Sequence, residues 1–448
     1  MLVKNGNWKD FSKFNEFVKE GNIRLQNARL IPLLKTGDEQ ALTSIFLSSL
    51  KLIKEFRKKV FSDIKLKNSG KIYYFTEVCF KDIDDGSIFD GVILVVSKGK
   101  VVDSAIIEVK NDKNKIDAQQ IQRYYDLAKS LGFNKVVTIS NEFVSAPDVS
   151  VVKINYLSKN TKLFHLSWTY IQTLGQLLLF DNEDDIEDVD QIELMKEVLH
   201  YMSDSRSGVN GFNQMSNGWT QVSDDIRNMK KSNPENLHDA VMSWHQEEID
   251  MKLMLSRHLG IIVTSRNEDP KIKLKNNINK LKTKNYLSTS LSVKGAVSNI
   301  DIKAEFERRM LQMSVEITPN LYYKTFEGRL NSLNRQIKKM DSELLNHLTI
   351  TAKVFKSPNP IIETYKDYDN FYNEDFKKKD VRKFVLTVNQ SLGGSFRSKK
   401  KFVVLIEDML KDFYEDIVQN LVSYVPPPPT MKKEVKTVIE DVVEKDVE

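Results

Sequence analysis

The 448-residue chain has a single cysteine, Cys79, so no disulfide can form within it and its stability must come from packing. It also lacks long apolar runs. The longest, Gly91 to Val96, falls far short of the ~20 residues needed to cross a bilayer. Met1 to Gly6 has no apolar core of the signal-peptide kind. These absences predict an intracellular, cytoplasmic protein without membrane contact. Histidines are few and scattered (His165, His200, His238, His245, His258, His347), and their spacing argues against a zinc site. An excess of one charge is missing too: 67 Lys and Arg face 62 Asp and Glu, a net charge of +5. That balance permits nucleic-acid binding without arguing for it, so the distribution matters more than the sum.

The chain is too long for one hydrophobic core, so two or more domains are expected. Residues 9–30 mix charge and aromatics without a clear period. Leu42, Ile45, Phe46, Leu50 and Ile53 recur at helical spacing behind the acids Asp38 and Glu39, which suit a helix start. Strand signals follow at Ile72–Phe80, Ile88–Val96 and Val101–Val109, then a helix over Ala118–Leu131 stopped by Gly132, then strands near Lys135–Ser140 and Phe164–Trp168. Helix, three-strand meander, helix, strand is the order of an α/β fold with a mixed central sheet flanked by helices. The predicted N-terminal domain is 1–180. An acid-rich stretch, Asp181–Asp190, leads to an α+β region over 190–425 with a long helix at Glu235–Leu259. Pro426–Pro429 and the charged remainder, 426–448, read as a disordered or partner-bound tail.

The chemistry concentrates in Asp90, Glu108 and Lys110, followed by Gln120 and Tyr124. Hydrolysis of a phosphodiester by a hard divalent ion needs oxygen ligands, and carboxylates on neighbouring strands supply them. A lysine beside them can orient water and offset charge in the transition state. Glu108 and Lys110 share a face because strand side chains alternate. Asp90 joins that face if the hairpin loop is three residues, Lys98–Lys100, with Ser97 opposite Val101. A two-residue loop would set Asp90 against Ile107 unless a bulge intervened. Gln120 and Tyr124, four apart, share one face of their helix.

An Asp with Glu-x-Lys 18 residues later, then Gln120-Ile121-Gln122-Arg123-Tyr124, resembles the PD-(D/E)XK nuclease superfamily, in its RecB-type Gln-hydrophobic-x-x-Tyr variant. The resemblance covers roughly residues 36–170. It implies a restriction-endonuclease-like fold with Asp90 and Glu108 as metal ligands. Lys110 would be the catalytic lysine, and Gln120 and Tyr124 supporting residues. It also implies a further metal ligand, a glutamate from the preceding helix, where Glu39 stands, with Glu77 as the competing candidate. Phe89 replaces the proline that often precedes the aspartate.

The expectation is a magnesium-dependent deoxyribonuclease, with Mn2+ as a substitute, in a defence or repair role that rests on analogy alone. RNA stays open as substrate, because two carboxylates and a lysine do not read a 2′-hydroxyl. The alternative is a catalytically silent nucleic-acid or protein-binding module on the same fold. The C-terminal half would recognise substrate, sense a trigger, or mediate homo-oligomer or protein contacts. Two acid-free basic stretches, Lys271–Lys284 and Arg397–Lys401, could grip phosphates or simply be solvated. Gly393–Lys401 lacks the spacing of a nucleotide-binding P-loop.

Overall fold

Aromatic and β-branched runs pair as the alternation predicts, and the computed structural model describes residues 7–27, 35–80, 87–112, 114–144, 146–155, 160–179, 186–266 and 268–424. Most of the acid-rich stretch and the Pro-rich tail, called a linker and a disordered segment from sequence, lie outside these residues.

The N-terminal part runs α1 (Phe11–Lys19), β1 (Ile23–Asn27), α2 (Glu39–Leu52), α3 (Lys54–Asp63), β2 (Lys71–Phe80), β3 (Ile88–Ser97), β4 (Lys100–Val109), α4 (Ala118–Leu131), β5 (Lys135–Ser140), β6 (Lys162–Ser167), α5 (Trp168–Leu177) and α6 (Val189–Ser203). The six strands lie in sequence order. β1 to β4 are antiparallel, and α4 carries the chain over to β5, which with β6 runs parallel to β4. This is the mixed sheet expected. α1 and β1 were not legible, because α1 buries only Phe14 and Phe17 among polar neighbours.

β3, β4 and β5 are buried almost throughout, which explains their unbroken apolar runs: both faces are covered. Ile93, Val95, Ala105 and Ile107 pack under α2, α3, α5 and α6, while Val92, Leu94 and Ile106 pack under α1 and α4. Leu42, Phe46, Leu47 and Leu50 seat α2 on the first face. Burying such side chains contributes about 1.5–3 kcal/mol each, which anchors the helix whose first residue is Glu39. Asp38 caps it by accepting the Gln40 N–H, and Asp117 caps α4 by accepting the Gln120 N–H.

The C-terminal part runs α7 (Asn217–Arg227), α8 (Pro234–Leu259), β7 (Thr264–Ser265), α9 (Pro270–Lys284), β8 (Tyr286–Ser292), β9 (Ile300–Glu305), β10 (Met310–Ile317), α10 (Phe326–Ile337), β11 (Leu348–Val354), β12 (Ile361–Thr364), α11 (Glu374–Lys377), β13 (Val381–Ser391) and α12 (Lys399–Asp412). Its antiparallel sheet has the order β12-β11-β13-β10-β9-β8-β7. It encloses a core of its own, centred on Trp219, Trp244, Leu311 and Phe402.

Gly260 is the left-handed cap that ends α8, so β7 is only Thr264–Ser265. The basic stretch Lys271–Lys284 lies in α9, capped by Asp269 and started by Pro270. α12 ends at Asp412 and continues as a wider turn over Phe413–Ile417. α5 packs against α8 and joins the two parts, with Arg257 donating to Thr173 Oγ1 at 3.2 Å. Among the described residues, no helix is long and apolar enough to cross a membrane.

Candidate active site on β3, β4 and α4

The hairpin between β3 and β4 decides whether Asp90 and Glu108 can meet. The expected three-residue loop does not form. Ser97 pairs with Lys100, leaving the two-residue turn Lys98-Gly99, with both residues at positive φ (50° and 73°), as a tight hairpin requires. Left regular, that turn would set Asp90 opposite Ile107. A bulge corrects it. Val96 pairs with Val101 but Val95 pairs with Asp103, so Val102 is the extra residue. Gly91 then stands opposite Ile107, and the next step outward puts Asp90 across from Glu108. Both lie on the α4 side, because Val92, Leu94 and Ile106 of the same parity do.

Asp90 Oδ2 accepts the Val109 N–H at 2.7 Å, which ties its carboxylate to the strand that carries Glu108. Glu108 is 1% exposed. Its Oε1 accepts from Lys110 Nζ at 2.5 Å, while no donor reaches its buried Oε2, and the Asp90 carboxyl is the neighbour with which it can share a proton. Burial and the adjacent Asp90 charge push the Glu108 carboxyl up to about 8, against the pull of Lys110. Burial also raises Asp90, partly offset by the Val109 N–H and the Lys110 charge. For Lys110, burial opposes the charged form. The hydrogen bond and charge of Glu108, with Asp90 and Glu39, outweigh it and hold the ammonium protonated.

Lys110 is fixed at both ends of its peptide unit. Its N–H donates to the Ile139 carbonyl at 2.8 Å, and its own carbonyl accepts from Trp168 Nε1 at 2.9 Å. The loop after α6 presses in from the other side. Gly208 has φ 75°, and a Cβ there would stand 2.6 Å from Asn111 Nδ2, so only glycine allows this approach. Asn111, Asn114 and Trp168 carried no motif, and only their contacts mark them as supports.

Glu39 joins the group through Lys110, 3.5 Å from its Oε2, while its Oε1 accepts from Asn114 Nδ2 at 2.9 Å and the Asn111 N–H at 3.4 Å. Glu77 sits on β2 between Thr76, which pairs with Gly91, and Val78, which pairs with Phe89. Its φ of 53° breaks the alternation, so Phe75 and Val78 both pack on the α4-side core. Burial raises the Glu77 carboxyl, a hydrogen bond with Gln40 of α2 lowers it, and the Asp90 charge raises it again.

On α4, Tyr124 is buried and its hydroxyl donates to the Ile88 carbonyl at 2.8 Å, which pins the helix to the start of β3. Gln120 Nε2 donates to Tyr124 Oη at 3.4 Å. Burial raises the Tyr124 phenol, with a further push from the Glu108 charge. All five motif residues therefore meet where β3, β4 and α4 converge.

Among the described residues, no three His, Cys, Asp or Glu side chains form a group that could hold a metal ion. A divalent ion held by Asp90 and Glu108 would thus complete its shell with water or main-chain oxygen, as Mg2+ commonly does. The unpartnered Glu108 Oε2 and the hard oxygen donors fit such an ion. His165, by contrast, is structural. Burial lowers it to about 4, and it is held between Thr138 Oγ1 and the Glu142 carbonyl.

The chain matches no family model, no curated protein and no solved structure.

Proposed function

We propose that this chain is a magnesium-dependent nuclease that hydrolyses phosphodiester bonds, with DNA as the first substrate to test. The observation that carries the reading is the Glu108 carboxylate: one oxygen on Lys110, the other buried and unpartnered beside Asp90. With both acids ionised, that oxygen has no donor and faces the Asp90 charge, a cost of about 1–3 kcal/mol or more that either a proton shared with Asp90 or a bound cation removes.

Asp90 and Glu108 would hold the ion. When bound, it supplies positive charge to the scissile phosphate and makes a coordinated water more acidic. Lys110 favours the ionised form of Glu108, though burial and Asp90 outweigh it until a cation binds, and it places an ammonium where negative charge grows at phosphorus. Glu39 and the two asparagines hold Lys110 in that position. Gln120 stands in the first turn of α4, where the helix dipole favours an anion. Tyr124 keeps that turn against β3. The resemblance of the motif to PD-(D/E)XK nucleases supports the same assignment.

The test is cleavage of supercoiled and linear DNA, and of RNA, with Mg2+ or Mn2+, comparing wild type with Glu108→Ala and Lys110→Ala. Activity lost in both variants is expected, by about a hundredfold or more. Variants that cut as well as wild type would reject the site. A wild type that cuts nothing and binds no metal would favour a silent binding module on this fold.

A further inference from the structure

The acid-free helix α9 walls a groove of about 560 Å³ on the C-terminal sheet. Lys273, Asn277 and Lys280, spaced along one face of α9, line that wall. The floor is the sheet face turned away from the core. Strand pairing aligns two polar rows across it: Ser288, Lys303, Gln312 and Asn389, then Ser290, Asp301, Ser314 and Thr387. In β10 the alternate residues Leu311, Met313 and Val315 are fully buried in the core, so the polar set is an outward face by design of the alternation. These side chains are short hydroxyls and amides, which hydrogen-bond either phosphate or base edges. Tyr286 stands at the edge of the groove, with Lys303 Nζ 4.8 Å from its ring centroid.

Charge favours an anionic partner. The groove itself is nearly balanced. Arg266, Lys273, Lys280 and Lys303 face Glu248, Glu268 and Asp301, and Glu248 is already neutralised by Lys273 at 2.5 Å. Lys284, one turn beyond Lys280 on the same face of the acid-free α9, adds to the surplus, while Lys271, Lys275 and Lys282 are exposed on other sides of the helix. Cations flanking a hydrogen-bonding trough with an aromatic ring are what a single strand needs: phosphates held by charge, bases by stacking.

We propose that this groove binds single-stranded nucleic acid, with α9 lysines on the phosphates and Tyr286 stacking on a base. The proposal deepens the nuclease reading by naming the form of its substrate, and rests on that reading only for its purpose.

The test is anisotropy of the full chain with a labelled 20-residue oligothymidylate, an oligouridylate and a hairpin duplex, in EDTA at low and moderate salt. Single strands should bind about tenfold tighter than the duplex, and weaken as salt rises. Reversing charge along the groove in Arg266→Glu, Lys280→Glu and Lys284→Glu together should weaken binding about tenfold or more. Tyr286→Ala should weaken it about tenfold and Tyr286→Phe should not. The two polymers then distinguish DNA from RNA. Equal or tighter duplex binding, or a charge-reversed variant that binds like wild type, would overturn the proposal. Glu108→Ala should bind like wild type, so a failed active-site assignment leaves this result standing, and the reverse.

Discussion

Lys110 Nζ lies 2.5 Å from Glu108 Oε1, while Oε2 of the same carboxyl is buried and receives no donor. The pair is therefore half of a site. Burial and Asp90 hold the Glu108 carboxyl at about 8, so at neutral pH without metal the proton stays on. A divalent ion must displace it. Metal affinity should rise with pH up to about 8, by at most about tenfold per unit, and level off above. Calorimetry with Mn2+ in two buffers of different ionisation heat would read the proton released. A pH-independent affinity, or unchanged binding in Glu108→Gln, would remove Glu108 from the ligand set.

Tyr124 and Gln120 should separate cleanly. Tyr124→Phe strands the Ile88 carbonyl and should cost about 1 kcal/mol of stability, visible in the urea midpoint. Gln120→Ala breaks only a 3.4 Å contact on a partly exposed turn and should leave stability unchanged while lowering the cleavage rate. A Gln120→Ala enzyme with a normal rate would confine Gln120 to the helix surface.

Asp103 follows the bulge and binds Lys135 at 2.5 Å, with both side chains buried. It also accepts the Lys67 N–H at 2.9 Å. Asp103→Ala leaves the lysine uncompensated and should destabilise the N-terminal part by about 3–5 kcal/mol. Asp103→Leu with Lys135→Met should recover much of that loss. If the single and double variants unfold at the same midpoint, the pair is not what braces β4 to β5.

Asp250 and Glu407 face each other's charge inside the joint between the two parts, raised mainly by burial to about 6 and about 7, with Arg257 pulling both down. Glu247, fully buried beside them, is raised further by the same two acids. A raised folded value means the folded chain holds protons that the unfolded chain releases. Stability should therefore be full below about pH 4 and fall as pH rises through about 6 to 7, with Glu247 extending the loss above that. Asp250→Asn and Glu407→Gln together should flatten the slope in denaturant unfolding. A slope of opposite sign would mean the carboxylates are held ionised by Arg257.

Much of this was readable beforehand. Apolar runs at Ile88–Val96 and Val101–Val109 announced buried central strands, and Asp38 and Gly132 marked helix ends, because caps are local chemistry. The C-terminal strands β8, β11 and β13 were harder. Their alternate residues are serine, threonine, lysine and asparagine, which propensity alone does not separate from loop. Asn111, Asn114, Trp168 and Gly208 escaped notice because their roles are contacts between segments distant in the chain.

The sequence by itself determined which residue types could do the chemistry and on which elements they ride: Asp90, Glu108 and Lys110 on strands, Gln120 and Tyr124 on one helix face. These follow from periods of two and about 3.6, which are properties of the backbone. Only the tertiary structure decided whether they meet. The extra residue Val102 restores the register that a two-residue turn would have lost, and the positive φ at Glu77 turns that acid out of the strand's alternation. Register is a sum over every step between turn and site, so a single bulge changes it, and no local pattern announces where that bulge will fall.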